Sequence, residues 1–321
     1  MVILEVKNLK KHFPVTGGIF LRQKGWVYAL DGVSFKLNKG ETIGIVGESG
    51  CGKTTLGRCI MGLYHPSDGQ VIIKGQVVSN IKSQHRKELA LNLQMIFQDP
   101  FESLNPRQTI KEILEEKYII HGKKKGSLDF EIKNLIERAG LLTDVLSKFP
   151  HEFSGGQRQR IGIARAISLE PEIIICDEPV SALDVSVQSK ILNLLLELQK
   201  NMGLTYVFIS HDLSVVKHVS DKIAVMYLGK IVEMADAGDI YNNGQHPYTR
   251  ALLSSIPIPD PGSCRDRIVL KGEVPSVENP PAGCRFNTRC EYVQDICYKK
   301  EPKLFKNKKE PNHLTACHFF F

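Results

Sequence analysis

Apolar residues in this chain fall into two arrangements, and their alternation predicts its elements. Compact apolar runs at Thr42-Ile-Gly-Ile-Val46, Leu93-Gln-Met-Ile-Phe97, Ile173-Ile-Ile-Cys176, Thr205-Tyr-Val-Phe-Ile-Ser210 and Ile223-Ala-Val-Met-Tyr227 predict short strands. The run at 173–176 is apolar throughout, the pattern of a central parallel strand covered on both faces. Three- and four-residue spacing instead predicts helices over 53–63, 109–120, 128–139 and 157–169, with a further helix core at 191–196. Residues 1 to about 97 alternate strands with one helix, about 100–170 carry only helical runs, and from 172 to about 234 the strand-helix alternation returns. The pattern is an α/β sheet with an inserted helical lobe and a smaller appendage.

Three breaks in this pattern carry chemistry. Between the strand at 42–46 and the helix after it lies Gly47-Glu-Ser-Gly-Cys-Gly-Lys-Thr54. Its glycines let backbone N–H groups curl inward on an anion, and the helix adds the positive end of its dipole. Lys53 is placed to reach the β- and γ-phosphates of a nucleotide and the Thr54 hydroxyl to ligate Mg²⁺. Gly47, Glu48, Ser49, Gly50, Cys51, Gly52 and Thr55 complete the candidate set. The strand at 173–176 then runs into two adjacent carboxylates, where packing asks for none: Asp177 is placed to hold the Mg²⁺ shell and Glu178 to polarise an attacking water. Finally, Ser154 is a good N-cap, so Ser154, Gly155, Gly156 and Gln157 make a second helix N-terminus suited to an anion.

In chain order the loop at 47–54, the Ser154–Gln157 segment and then the Asp177-Glu178 pair resemble those of the ATP-binding cassette (ABC) ATPases. The resemblance implies an α/β P-loop ABC ATPase fold, with a RecA-like core, an N-terminal antiparallel β region and a helical subdomain at about 100–170. A nucleotide-binding domain at 1–234 and a C-terminal extension at 235–321 are expected. Further roles come from the resemblance alone. Gln98 matches the glutamine loop that contacts Mg²⁺ and the water, and Asp184 in Ser181-Ala-Leu-Asp184 matches the D-loop. His211 matches the switch histidine on the γ-phosphate, and Phe13 the aromatic that stacks on adenine, with Tyr28 as competitor. In the family the Ser-Gly-Gly-Gln segment caps the γ-phosphate held by a partner, so two chains sandwich two ATP molecules.

Past residue 235 the resemblance narrows. Asn243-Gly-Gln-His-Pro-Tyr-Thr-Arg-Ala-Leu-Leu253 and Gln98-Asp-Pro-Phe-Glu-Ser-Leu-Asn-Pro-Arg107 resemble elements of oligopeptide, dipeptide and nickel importer ATPases. The implied function is ATP hydrolysis coupled to peptide import. The implied partners are a second, related ATPase, two membrane permease subunits and an extracytoplasmic binding protein. Nickel or another small cargo is the alternative within the class. A soluble ABC ATPase acting on ribosomes or DNA is the alternative outside it, but such relatives usually carry two cassettes or a long coiled-coil insertion, and neither is seen here.

Composition trims this picture. No apolar run approaches the roughly 20 residues of a membrane span, and Met1-Val-Ile-Leu-Glu-Val-Lys7 predicts a strand rather than a signal peptide. The expected place is the cytoplasmic face of the membrane, held peripherally. The formal net charge of +7 comes without a basic tail, so no direct nucleic-acid binding is expected. Eight cysteines in such a chain are not a disulfide framework. Cys51, Cys59 and Cys176 fall in the core. Cys51 lies beside Lys53 at a helix start, a setting that favours thiolate, so alkylation there and protection by ATP are expected. The tail holds Cys284-x5-Cys290-x6-Cys297-x19-Cys317, with little apolar material around it. A metal centre is a reasonable staple there. The spacing is wider than zinc knuckles use, and Arg285, Arg289, Lys299 and Lys300 are available to offset thiolate charge. The pattern also resembles relatives with a four-iron cluster in this region. A [4Fe-4S] cluster ranks first, Zn²⁺ second and free thiols third, with Cys264 as a spare ligand.

Overall fold

The computed structural model describes residues 1–17, 22–79, 85–124, 128–256, 267–306 and 312–319. Two compact units emerge. The first comprises Met1, Asn38–Glu41 and Ile81–Ile209, and the second Val2–Leu37, Thr42–Asn80 and Ser210–Phe321.

In the first unit three parallel strands, Leu93–Ile96, Ile173–Asp177 and Thr205–Ile209, pair with Ile173–Asp177 in the middle. Every residue of that middle strand is buried, as its uniform apolarity demands. The helical lobe holds Ile110–Ile120, Asp129–Arg138 and Gly155–Ile167, close to the predicted spans. The starts of two of these helices are set by local chemistry. Thr109 and Glu112 form a reciprocal capping box before Ile110, and Ser154 and Gln157 form another before Gly155. The helix Val185–Met202 ends at Gly203, whose φ of 66° supplies the left-handed cap. One helix, Arg86–Asn92, falls in a stretch expected to hold strands. Only Leu89 of its seven residues is buried, which leaves no apolar period to detect.

The second unit carries two sheets. In one, Val2–Gly17 pairs antiparallel with Asp68–Ile73, which pairs antiparallel with Gln76–Val77. In the other, Thr42–Val46 lies parallel to Lys222–Tyr227, and that strand pairs antiparallel with Lys230–Asp236. Tail strands extend this second sheet, Leu314–Thr315 on Lys230–Asp236 and Phe305–Lys306 on Leu314–Thr315. The helix predicted over 53–63 stops at Ile60, because Gly62 turns left-handed at φ 70°.

A buried carboxylate ties the tail to this sheet. Glu233 is fully buried and accepts from the backbone N–H groups of Gln245 (2.6 Å) and His246 (3.0 Å), with His313 Nε2 2.6 Å away. Burial outweighs the pull of Glu233 and lowers the His246 pKa to about 4. The ring is therefore neutral at pH 7, and its Nδ1 accepts from Tyr248 N (3.1 Å), capping the helix Pro247–Ser254.

Candidate functional site

The loop Gly47–Thr54, expected to bind phosphate, is shaped by what lies under it. A Cβ on Gly47 would stand 2.2 Å from the carbonyl oxygen of Met226. Beside Gly50, at φ 78°, nothing lies within 4 Å, so the loop is tight against the sheet and open at its crest. Lys53 is buried, and its ammonium donates to the carbonyls of Gly47 (2.8 Å) and Glu48 (3.0 Å), which hold it in the loop's bowl. Gly52, the N-cap of the helix Lys53–Ile60, has no side chain to cap it, and the positive end of the helix dipole suits an anion there. Thr54 and Thr55 stand half-buried on that first turn, and Ser49 and Gly50 are exposed.

Cys51 departs from expectation. It is buried, with only 4% exposure, and that burial raises its pKa against the opposing pull of Lys53. The thiol is protonated and inaccessible, so the expected reactive thiolate is not formed. Cys59 and Cys176 are buried, as expected.

In the first unit, the middle strand delivers Asp177, 3% exposed, and then Glu178. Glu178 has φ 47°, a left-handed backbone that costs a non-glycine residue about 1 kcal/mol. Three backbone contacts hold it there: its N–H donates to Ile209 O (2.9 Å), and its carbonyl accepts from Ser181 N (3.3 Å) and Oγ (3.1 Å). The side chain is met by Gln98 Nε2 at 3.2 Å. The structure thus brings together the two residues assigned to the attacking water. Such strain concentrates at functional sites, and no sequence pattern announces it.

The Ser-Gly-Gly-Gln segment is exposed at Ser154 and packed at its glycines. A Cβ on Gly156 would meet Val187 Cγ1 at 2.5 Å, so Gly155–Ile167 approaches Val185–Met202 closely. Asp184 is exposed at the start of Val185–Met202 and makes no side-chain cap. In the second unit His211 is exposed, one residue before Asp212 caps Leu213–Val219. Phe13 is met edge-on by Tyr64 at 5.4 Å, and Tyr28 by His12 at 4.6 Å, which leaves both aromatics as candidates.

The tail thiols also converge. Cys284, Cys290, Cys297 and Cys317 line one small pocket with Pro247, Phe286 and Phe319 among its walls. Burial raises the Cys284 pKa to about 12; the backbone N–H of Phe286 opposes that rise and the other three thiols add to it. Backbone N–H groups of Tyr292 and Phe319 serve Cys290 and Cys317 in the same way. Among the described residues no three His, Cys, Asp or Glu side chains sit close enough to hold a single metal ion; the thiols ring a pocket rather than meeting at a point. Cys264 lies outside the described residues. The arginines expected to balance thiolate charge are engaged elsewhere. Arg285 binds Asp31 and the carbonyl of Leu228, and Arg289 binds both oxygens of Glu48, at 2.7 and 3.2 Å.

The ABC transporter family model matches residues 30–181, and that of the oligopeptide/dipeptide transporter C-terminal region matches 232–297. The chain is 53% identical to the oligopeptide transport ATP-binding protein AppF of Bacillus subtilis, over 99% of this chain and 97% of that one. It is 49% identical to OppF of Salmonella typhimurium, over 98% and 96%. A dimeric ATP-binding cassette solved with ADP and phosphate superposes with a TM-score of 0.65 at 28% identity, covering 73% of this chain and 99% of that one. This chain belongs to the family of ABC transporter ATP-binding subunits that carry the oligopeptide/dipeptide transporter C-terminal region.

Proposed function

We propose that the chain is the ATP-hydrolysing subunit of an importer for oligopeptides or dipeptides. It works at the cytoplasmic face of the membrane beside a second ATPase, two permease subunits and an extracytoplasmic peptide-binding protein. The observation that carries this reading is similarity to oligopeptide transport ATP-binding proteins running through core and tail alike, over 99% of the chain for AppF. Among the described residues no helix is long and apolar enough to cross a membrane.

Each site residue then has a task. The loop N–H groups and the Lys53 ammonium bind the phosphates, and Phe13 stacks on adenine. Thr54, Gln98 and Asp177 would hold Mg²⁺, which when bound neutralises charge on the β- and γ-phosphates. Glu178 accepts a proton from water as the water oxygen bonds to the γ-phosphorus. The bond from that phosphorus to the β-phosphate oxygen breaks, and ADP leaves with the electron pair. His211 donates to the γ-phosphate, while Ser154, Gly155, Gly156 and Gln157, with Asp184 beside them, close on ATP held by the partner ATPase. Reconstitution in vesicles with permeases and binding protein tests this. Peptide-loaded binding protein should stimulate ATP hydrolysis and peptide should accumulate; uptake of nickel alone would replace the cargo, and no uptake would reject the importer.

The thiol pocket is assigned a four-iron cluster ahead of zinc. Four thiols around one pocket, with backbone N–H groups directed at three of the sulfurs, are the donor set such a cluster uses. When bound, it would staple three stretches of the tail. Anaerobically purified protein should contain iron and acid-labile sulfide in equal amounts. One zinc without sulfide would install the runner-up, and no metal would leave free thiols.

A further inference from the structure

The strongest unassigned feature is a pair of contacts converging on Glu48, the second residue of the phosphate-binding loop. Arg289, from the cysteine loop 241 residues away, grips its carboxylate with both terminal nitrogens, at 2.7 and 3.2 Å. The Arg289 side chain is 7% exposed and that of Glu48 27%. Burial disfavours the guanidinium charge, but the Glu48 carboxylate and the Tyr227 hydroxyl outweigh it and push the Arg289 pKa up. From the other side, the buried Tyr248 hydroxyl accepts from the Glu48 N–H at 2.9 Å. Tyr248 is held in turn by rings of Tyr227 at 4.8 Å and Phe286 at 5.5 Å. Phe286 is also a wall of the thiol pocket. All of these residues lie in the second unit.

We propose that Arg289 and Tyr248 are positioning residues for the phosphate-binding loop, through which the tail sets the affinity of this chain for Mg-ATP. Two physical effects add. An anion-binding loop must hold its N–H groups in place before the anion arrives, because ordering them on binding subtracts from affinity. The Glu48 carboxylate also sits inside the loop that is to receive the phosphates. Arg289 holds it in a two-point contact and neutralises it; released, it would repel the nucleotide or enter the bowl. A bidentate, charge-assisted pair is suited to this because it fixes direction as well as charge.

The inference rests on the reading of Gly47–Thr54 as the ATP phosphate site, and the test separates the two. Mg-ATP affinity is titrated on the full chain, with thermal unfolding followed without nucleotide. Lys53→Ala should abolish binding; if it binds like the parent, the site reading fails. Arg289→Gln should raise Kd about tenfold, the equivalent of one charge-assisted hydrogen bond. Arg289→Lys should fall between, keeping charge without the fork, and Tyr248→Phe should weaken binding by less than Arg289→Gln. The decisive variant is Glu48→Gln with Arg289→Gln, which removes the stranded carboxylate and should regain most of the lost affinity. A tail needed only for folding predicts no such recovery. Intact Lys53 dependence with Arg289→Gln within about twofold of the parent, or a double variant as weak as Arg289→Gln alone, overturns the proposal.

Discussion

The phosphate-binding loop and the cysteine loop at 284–290 are both short turns in one unit, yet they specify function in opposite ways. The first works with its own backbone. Eight consecutive residues supply the curl, the N–H groups and the lysine, so the whole device is written in one place. The second works by reaching out. Its thiols line one pocket with Cys297 and Cys317, and its arginines bind Asp31 and Glu48, partners 254 and 241 residues away. Local chemistry survives as a motif, whereas long-range chemistry appears only after folding.

The largest expected effect lies with the local motifs. Glu178→Gln keeps the shape at the end of the strand Ile173–Asp177 and loses the proposed base, so hydrolysis by the assembled transporter should slow by at least about 10²-fold while Mg-ATP still binds. Near-normal turnover would remove Glu178 as the base. The long-range device should fail differently. With the proposed cluster in place, Cys297→Ser is expected to remove iron, sulfide and tail protease resistance together, and to weaken Mg-ATP binding about tenfold through the loosened Arg289 contact. Iron retained at the parental level in that variant would show that Cys297 is not a ligand.

The same division explains what was legible beforehand. The strand at 42–46 and the uniformly apolar strand ending at Asp177 were readable because burial imposes composition. Gln98 could be matched to a family element, but its bond to Glu178 could not be seen, since 80 residues separate them. The φ of 47° at Glu178 left no trace either, because contacts with Ile209 and Ser181 impose it rather than a glycine. Arg285 and Arg289 differ from expectation for a related reason: proximity in sequence to cysteines suggests that their charges serve the thiols, and the fold turns them toward carboxylates instead.

Cys51 sharpens the contrast at an intermediate scale. Its sequence neighbours, a helix start and Lys53, favour thiolate, but tertiary burial wins and pushes the pKa up. Maleimide should therefore label Cys51 in the folded, nucleotide-free protein at least about tenfold more slowly than an exposed thiol. Added Mg-ATP should change that rate little. Fast labelling blocked by ATP would mean that the loop opens enough to expose the sulfur.

The smallest effect separates a cap that only builds a helix from one assigned a second task. Thr109 and Ser154 start their helices with the same reciprocal box. Thr109 Oγ1 accepts from Glu112 N at 3.3 Å and Ser154 Oγ from Gln157 N at 3.4 Å. Each N-cap N–H donates back, to Glu112 Oε2 at 2.9 Å and to Gln157 Oε1 at 3.1 Å. Replacing either by alanine should cost about 1 kcal/mol of stability, the usual value of such a cap. If Ser154 did no more than this, the two variants would be indistinguishable. Under the proposed second role, closing on ATP held by the partner ATPase, Ser154→Ala should lower the assembled transporter's ATPase rate several-fold more than Thr109→Ala at matched stability. Equal rates for the two variants would reduce Ser154 to a helix cap and remove it from the composite site.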